Sequence, residues 1–264
     1  LYGQRAANGV VEITTKQGQA GRTEVTFKSS VGVSEVNKAP EIQDDYQHGY
    51  YGALPYREFS FEFWHWGPPT NESSKVWNNY RRFFRRATNF SNSLSISGGN
   101  ENTTYFSSMS NVNEEGIVPN TTWDRTTFKL TGSHKVSERF DISGSVNYSN
   151  SGGVRPTGGD KSIMSSLSYW TSSNDVTDYK FPDGDQKNYS GDRNSPNSGF
   201  IDNPTYFAHN STLEDDVNRV LGNLGLNFDI TEWLTLDYKF GADYYNDSRE
   251  RFVPPNLDVG TQVN

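Results

Sequence analysis

The sequence predicts an all-β protein, and within that class part of a transmembrane antiparallel β-barrel, from three observations. Apolar and polar residues alternate with a period of two over about seven segments, as in strands with one apolar face. Short connections near 100, 137 and 231 alternate with longer ones at 37–91, 113–124 and 151–216. No segment approaches the roughly 20 consecutive apolar residues that a spanning helix needs. Short turns on one side and long loops on the other are typical of outer-membrane barrels.

Composition alone is misleading for this chain. With 264 residues, a formal net charge of −8 and 32% hydrophobic residues, it has the composition of a polar, soluble or partly disordered protein. Aromatic residues nevertheless make up 14% of the chain, and with Thr, Val and Ser they suit a pleated, half-buried surface. The mean hydropathy of −0.81 is expected for a barrel, because only one face of each spanning strand is apolar. Cysteine is absent, which excludes disulfides and thiolate metal sites within this chain.

The first three predicted strands lie in the first half of the chain. Apolar positions of the first two are Val25, Phe27, Val31, Val33, Leu94 and Ile96. The third strand runs from Thr103 to about Val112. Its facing is ambiguous, because Tyr105 and Phe106 are adjacent and alternation would place them on opposite faces.

Four later strands alternate more regularly. Their apolar positions are Phe128, Leu130 and Val136; Phe140, Ile142, Val146 and Tyr148; Leu224, Leu226, Phe228 and Ile230; and Leu234, Leu236, Tyr238, Phe240, Ala242 and Tyr244. Tight turns at Ser137-Glu138 and Thr231-Glu232 join them in pairs. Strands of about 10 residues at a steep tilt match the hydrocarbon thickness. A soluble β-sandwich also alternates, but its loop lengths seldom do so regularly, which favours the barrel.

A seven-strand sheet has unpaired edges, which are costly in lipid. We therefore expect further strands beyond Asn264. The chain also begins at Leu1 with no Met and no signal peptide, so we expect it to be a fragment of a longer protein.

The first eighteen residues resemble the end of the plug domain of TonB-dependent outer-membrane transporters, and the Arg-Ala-Ala-Asn-Gly form resembles the SusC/RagA branch. The residues that carry this resemblance are Tyr2, Gly3, Arg5, Ala6, Ala7, Asn8, Gly9, Glu12, Thr15 and Lys16. Gly3 and Gly9 allow tight backbone turns. Arg5 and Glu12 are charges that need partners once a barrel encloses them.

A second region is similar to the early barrel hairpins of the same branch. It comprises 92–106 around the turn Gly98-Gly99-Asn100, then 113–118, and then Asp124-Arg125. The two regions occur in the order that the family requires. The resemblance thus implies a plug end at 1–20 and the N-terminal part of the barrel at 21–264, with long extracellular loops at about 37–91 and 151–216.

The resemblance implies active import in the outer membrane of a Bacteroidota-type envelope. The whole protein would be a barrel of about 22 strands closed by a plug and opened by the TonB complex, through a region absent from this chain. It would import oligosaccharides or peptides with a SusD-like surface lipoprotein. An alternative is a barrel-anchored surface receptor or adhesin without transport. A third interpretation, a soluble glycan-binding β-sandwich, requires a chain that stays in solution without detergent.

Aromatic residues in the predicted loops are candidates for substrate or partner contact, because sugar rings and protein surfaces pack on them. The candidates are Trp64, Trp66, Tyr169, Trp170 and Tyr206. The alternative is that loop aromatics form the core of the folded loops or a girdle at the membrane interface.

The spacing of Trp77, Tyr80 and Phe84 predicts a short amphipathic helix over 75–87. Its exposed face would carry Arg81, Arg82, Arg85 and Arg86. Because the chain is acidic overall, we expect these arginines to face solvent or lipid headgroups rather than nucleic acid.

No pattern indicates catalysis or a cofactor. The four histidines are scattered, and no nucleophile elbow, phosphate loop or carboxylate pair stands out. Asp183 and Asp185, with Asn188 and Asp192, have a faint likeness to an oxygen-rich calcium site. The segment lacks the bidentate Glu of an EF-hand, so an ordinary polar turn is the alternative and no metal is expected. The sequence therefore predicts a protein that is not an enzyme.

Overall fold

The computed structural model describes Gly9 and residues 16–54, 65–159, 162–187, 201–255 and 257. Within these ranges the chain forms a seven-stranded antiparallel sheet whose strands follow sequence order. The strands are β1 (Gly21–Ser34), β2 (Ala87–Gly99), β3 (Thr103–Glu115), β4 (Thr122–Ser137), β5 (Phe140–Val154), β6 (Thr212–Thr231) and β7 (Leu234–Phe252). Three short helices are described: α1 (Asn79–Phe83), α2 (Ile163–Tyr169) and α3 (Pro204–Asn210). The predicted all-β class is confirmed.

None of the helices in the described ranges has the length and apolar character needed to cross a membrane.

Connections between strands alternate in length, as predicted. Residues 100–102, 138–139 and 232–233 make the short turns, and 35–86 and 155–211 make the long loops. The third connection on the long side, 116–121, is shorter than predicted because β3 and β4 continue past the expected strand ends. The predicted strand length of about 10 residues was wrong, since the strands contain 13 to 20 residues. They extend beyond the apolar stretch into segments with polar residues on both faces.

Strand register places the apolar residues of all seven strands on one face, here called the apolar face. One row across the sheet consists of Phe27, Leu94, Met109, Phe128, Tyr148, Val220 and Tyr244. The neighbouring row on the opposite face, here called the polar face, consists of Lys28, Ser93, Ser110, Thr127, Ser149, Arg219 and Tyr245. Tyr105 lies on the apolar face, whereas Phe106 is buried on the polar face below the Lys129 ammonium group, 5.7 Å from the ring centre.

The apolar stretch slants relative to the rows of paired residues. On β1 the stretch covers Val25 to Val33, and on β7 it covers Leu234 to Tyr244. Strand pairing across the sheet, however, aligns Val25 with Ala242 and Val31 with Ser248. The stretch therefore moves three to four rows toward the short turns across the sheet. With about 6.8 Å per row and about 4.8 Å between strands, a horizontal apolar band requires a strand tilt of about 40°. Transmembrane barrel strands are tilted by about 35–45°.

Buried hydrophobic side chains are concentrated in the loops at the end of the sheet opposite the short turns. They form one cluster, here called the loop core: Phe83, Ile163, Leu167, Trp170, Val176, Ile201, Tyr206, Phe207, Ala208 and Leu257. Segments from both long loops and from the chain after β7 contribute to it. The loops are therefore a folded unit with a core of their own.

Polar contacts join the two long loops beside the loop core. The buried Asn79 amide donates to the carbonyl oxygens of Thr171 and Asn174 at 2.6 and 2.9 Å and accepts from the Val176 backbone N–H at 3.0 Å. Arg82 donates two hydrogen bonds of 2.9 Å to Asp175. Burial acts to raise the pKa of Asp175, but its bonds to Arg82 and Thr177 lower the pKa overall.

The predicted helix over 75–87 was wrong in its extent, since only Asn79–Phe83 is helical. Asn78 caps its start, its side chain accepting from the Arg81 N–H. Beyond Phe84 the chain is extended, because the Arg85 N–H donates to the Ile117 carbonyl at 2.9 Å and Ala87 already pairs with Ser34.

Candidate wall, plug-end and loop surfaces

Residues 16–18, which precede β1, lie against the polar face of the sheet. The Lys129 ammonium donates to the Lys16 carbonyl oxygen at 3.4 Å. Gly18 approaches β3 so closely that a Cβ atom there would overlap the backbone of Tyr105. A cavity of about 100 Å³ lies between this segment and the wall, lined by Gln17, Gly18, Thr131, Ser143 and Asn223 among others. The described end of the predicted plug segment is thus positioned on the polar side of the wall.

The polar face differs between its two halves. On β2 to β5 it is rich in hydroxyl groups: Ser91, Ser93, Ser95, Ser97, Ser108, Ser110, Thr127, Thr131, Ser143, Ser145 and Ser149. On β6 and β7 it carries ion pairs between Arg219 and Asp243 and, at 2.7 Å, between Arg249 and Asp247. Such a surface can hydrogen-bond to a plug domain, to water and to a hydrated solute.

Two residues of the predicted plug motif are described, Gly9 and Lys16. Gly9 has a φ of +104°, in the region that favours glycine. The remaining motif residues lie outside the described residues: Tyr2, Gly3, Arg5, Ala6, Ala7, Asn8, Glu12 and Thr15.

The structure separates the aromatic contact candidates into two groups. Trp66 is 62% exposed and packs beside Tyr46, with 5.4 Å between ring centres, and Tyr169 is 45% exposed. Trp170 and Tyr206 are each only 5% exposed within the loop core, and the Trp170 indole donates to the Asn174 carbonyl at 3.0 Å. For that buried pair the geometry favours the alternative, a structural role in the loops. Trp64 lies outside the described residues.

The segment with Asp183 and Asp185 folds as a polar turn. Lys180 and Gln186 form a bridge across it, and the Asp185 N–H donates to the Asp183 carboxylate at 3.3 Å. Asn188 and Asp192 lie outside the described residues. Among the residues that are described, no group of three or more His, Cys, Asp or Glu side chains is arranged to hold a metal ion.

Two histidines meet in the first long loop, a contact that the sequence did not reveal because they are 17 positions apart in irregular chain. His48 is buried, and its backbone N–H donates to the Ser173 hydroxyl at 2.9 Å. Burial, and then the charge of His65, lower the pKa of His48 to about 4. Burial also lowers the pKa of His65. Both shifts favour the neutral form of the ring.

Comparison with known proteins finds relatives over nearly the whole chain. The TonB-dependent receptor SusC of Bacteroides thetaiotaomicron is 24% identical over 277 aligned positions, which cover 97% of this chain and 26% of that protein. TonB-dependent receptor P3 of Formosa agariphila is 25% identical over 273 positions, which cover 100% of this chain and 25% of that protein. The chain thus spans about a quarter of the length of these curated relatives. No family model matches the chain.

Solved structures share the fold. The RagAB peptide importer in its closed-closed state matches 97% of this chain and 32% of the compared chain, with a TM-score of 0.71 and 19% identity. Its open-open state matches 95% of this chain and 31% of the compared chain, with a TM-score of 0.68 and 20% identity. The resemblance to SusC/RagA-type TonB-dependent transporters, the β-barrel class and the outer-membrane location are confirmed. The compared proteins are receptors and importers rather than enzymes.

Proposed function

We propose that this chain is part of an outer-membrane importer driven by the TonB complex, comprising the plug end at 1–20 and the first barrel strands from 21 onward. In this proposal the apolar face meets lipid and the polar face lines the barrel interior. The importer takes up oligosaccharides or peptides together with a SusD-like surface lipoprotein. The relatives named as TonB-dependent receptors and the fold of a peptide importer support this assignment.

The observation that carries the proposal is the side of the sheet on which the chain enters β1. Residues 16–18 lie on the polar face, against Lys129 and the backbone of Tyr105. A barrel that served only as an anchor does not require a plug domain joined to its first strand. A segment that reaches β1 from the interior is the connection that a plugged barrel requires.

The loop core supports a partner on the outer surface. Because the two long loops pack on one another and are joined through Asn79 and Arg82, they present a defined surface rather than separate loops. Trp66 and Tyr169 are exposed on this unit and are the aromatic residues that we assign to substrate or lipoprotein contact.

Uptake by cells that express the full-length protein tests the transport step. Labelled oligosaccharides and labelled peptides are supplied separately to cells with and without the TonB complex. We expect one of the two classes to accumulate inside only when TonB is present. Equal surface binding in both strains without accumulation would instead identify a receptor or adhesin.

Cross-linking tests the position of the plug end. Gln17→Cys combined with Ser143→Cys places two thiols around the same cavity, and a short bifunctional reagent should join them in native membranes. Gln17→Cys combined with Phe240→Cys is the matched control, because Phe240 lies on the apolar face and should not react. Cross-linking in the control pair alone would show that the polar and apolar faces are assigned the wrong way round.

Replacement of exposed aromatics tests the lipoprotein contact. Trp66→Ala with Tyr169→Ala should lower co-purification of the lipoprotein or binding of substrate. Trp233→Ala is the matched control, because Trp233 is 83% exposed at the opposite end of the sheet. Equal losses in both variants would remove Trp66 and Tyr169 from the proposed contact.

A further inference from the structure

Arginine residues border the apolar face where it extends furthest toward the long loops. Val31 pairs with Phe90 and Val33 with Thr88 on that face. The next position in the same alternation holds Glu35 beside Arg86, whose guanidinium Nε donates to the carboxylate at 2.9 Å. These two charges therefore lie about 7 Å beyond the last apolar residue of β1, at the upper boundary of the lipid-facing surface.

A notch opens beside this pair, and we call it the rim notch. It has a volume of about 180 Å³ and is lined by Glu35, Val36, Ala39, Arg81, Phe84, Arg85 and Arg86. Its three guanidinium groups outnumber its single carboxylate. The rim notch is therefore positively charged in a chain whose net charge is −8.

The three arginines of the rim notch differ in the hydrogen bonds and ion pairs that they already form within the protein. Arg85 donates to the carbonyl oxygens of Gly116 at 3.0 Å and Thr121 at 3.3 Å, so it is committed to holding the loop. Arg86 is paired with Glu35 but its side chain is 79% exposed. Within the part of the chain that the structure describes, the Arg81 guanidinium forms no hydrogen bond or ion pair. Arg81 and Arg86 are thus available to an external anion.

The opposite charge prevails above the apolar stretch elsewhere on this face. The row that begins at Val31 continues through Asp124 on β4 and Asp216 on β6, and the next row pairs Glu214 with Glu250. An anion is attracted by the rim notch and repelled by these carboxylates. On the described part of the rim, the charge distribution therefore favours binding of a negatively charged ligand at the rim notch.

We propose that the rim notch binds the phosphate group of an outer-leaflet lipid. Arginine forms paired hydrogen bonds with phosphate oxygens. Below the notch, Val31, Val33 and Phe90 are exposed on the apolar face, where the acyl chains of the same lipid can pack. An inorganic anion from solution would gain no contact with this apolar surface, so we assign the site to a lipid. The inference rests on the proposed function, because it requires the long-loop end to lie at the outer leaflet.

Native mass spectrometry of the full-length protein in detergent tests the inference. The probes are phosphorylated lipid A and the same lipid A after removal of its phosphate. We expect the phosphorylated form to bind more tightly, with about fivefold lost for each arginine removed in Arg81→Gln and Arg86→Gln. The affinity for dephosphorylated lipid should not change in either variant. Arg139→Gln, in a short turn at the other end of the sheet, is the matched control and should bind as the parent does.

Equal binding of the two lipids by the parent protein would overturn the inference, as would an unchanged preference in a variant that carries both Arg81→Gln and Arg86→Gln, or an equal loss in Arg139→Gln. Displacement of the lipid by millimolar inorganic phosphate would assign the site to free phosphate and also overturn it. Unchanged heat-modifiable mobility on gels shows that each variant retains its barrel. If TonB-dependent uptake failed while the lipid preference remained, only the proposed function would be overturned.

Discussion

The sheet and the loop core bury their apolar side chains in different ways. Large apolar residues on the sheet remain exposed within this chain, for example Phe27 at 67%, Leu236 at 54% and Phe240 at 56%. Those in the loop core are almost fully enclosed, with Leu167 at 0% and Phe207 at 1%. In the proposed barrel, lipid covers the apolar face of the sheet, whereas the side chains of the loop core cover one another. An apolar residue on the sheet is therefore expected to contact lipid, whereas an apolar residue in the loop core packs on other loop residues.

The largest expected effect lies in the loop core. Phe207→Ala removes a buried ring and should destabilise the folded loops by about 3 to 5 kcal/mol. Hydrogen exchange of α2 and α3, followed by mass spectrometry of the full-length protein in a bilayer, should show this as lost protection. Phe240→Ala, on the apolar face of the sheet, should leave that protection unchanged. If Phe207→Ala instead prevented barrel insertion, the two regions would not be independent.

A smaller effect is expected on the apolar face of the sheet. Phe240→Arg should cost about 2 to 4 kcal/mol, because Phe240 lies near the middle of the apolar stretch of β7 and a charge there replaces an apolar contact with lipid. Asp237→Asn, on the polar face of the same strand, should fold normally. Denaturant titration of the protein refolded into lipid vesicles measures both. Equal stability of the two variants would mean that the assigned faces are wrong.

The smallest of the three effects is a pH dependence confined to the loops. The pKa of His48 is about 4 in the folded loop and 6.5 when exposed, so the unfolded loop binds more protons between these values. The contribution of neutral His48 to the free energy of unfolding of the loop is at its maximum above pH 6.5, and it is lost as the pH falls to about 4. We expect a loss of about 2 to 3 kcal/mol over this range.

Hydrogen exchange as a function of pH, corrected for the intrinsic exchange rate, tests this effect in 43–54 and 65–86. His48→Gln should remove most of the dependence, and the sheet should show little of it. An equal pH dependence in the sheet would assign the effect to the whole protein.

Local patterns were sufficient to predict the sheet. Alternation with a period of two depends on adjacent residues, so it predicted seven strands and the facing of Phe27, Leu94, Phe128 and Leu236 correctly. It could not orient Tyr105 and Phe106, because both are aromatic and only their pairing partners distinguish them. The strand lengths were underestimated because the strands continue into polar segments such as Asn113 to Glu115 of β3, where alternation no longer marks them.

The loop core could not be predicted in the same way, since its contacts join distant parts of the chain. Asn79 bonds to Val176 across 97 positions, and no local pattern encodes that contact. The same distance explains why Trp170 and Tyr206 resembled exposed ligand-stacking residues in sequence. The rim notch combines Glu35 with Arg81 and Arg86, and only the pairing of β1 with β2 brings them together.

The participation of Leu257 in the loop core has a consequence for the order of folding. Each strand pairs with its neighbour in sequence, so the sheet can grow strand by strand, although the long loops 35–86 and 155–211 separate β1 from β2 and β5 from β6. The loop core needs Phe83 together with Leu257, which follows β7, so it cannot close until all seven strands are in place. Closure of the loops should therefore be a late kinetic phase, separate from insertion of the wall, and absent from intermediates that lack β7.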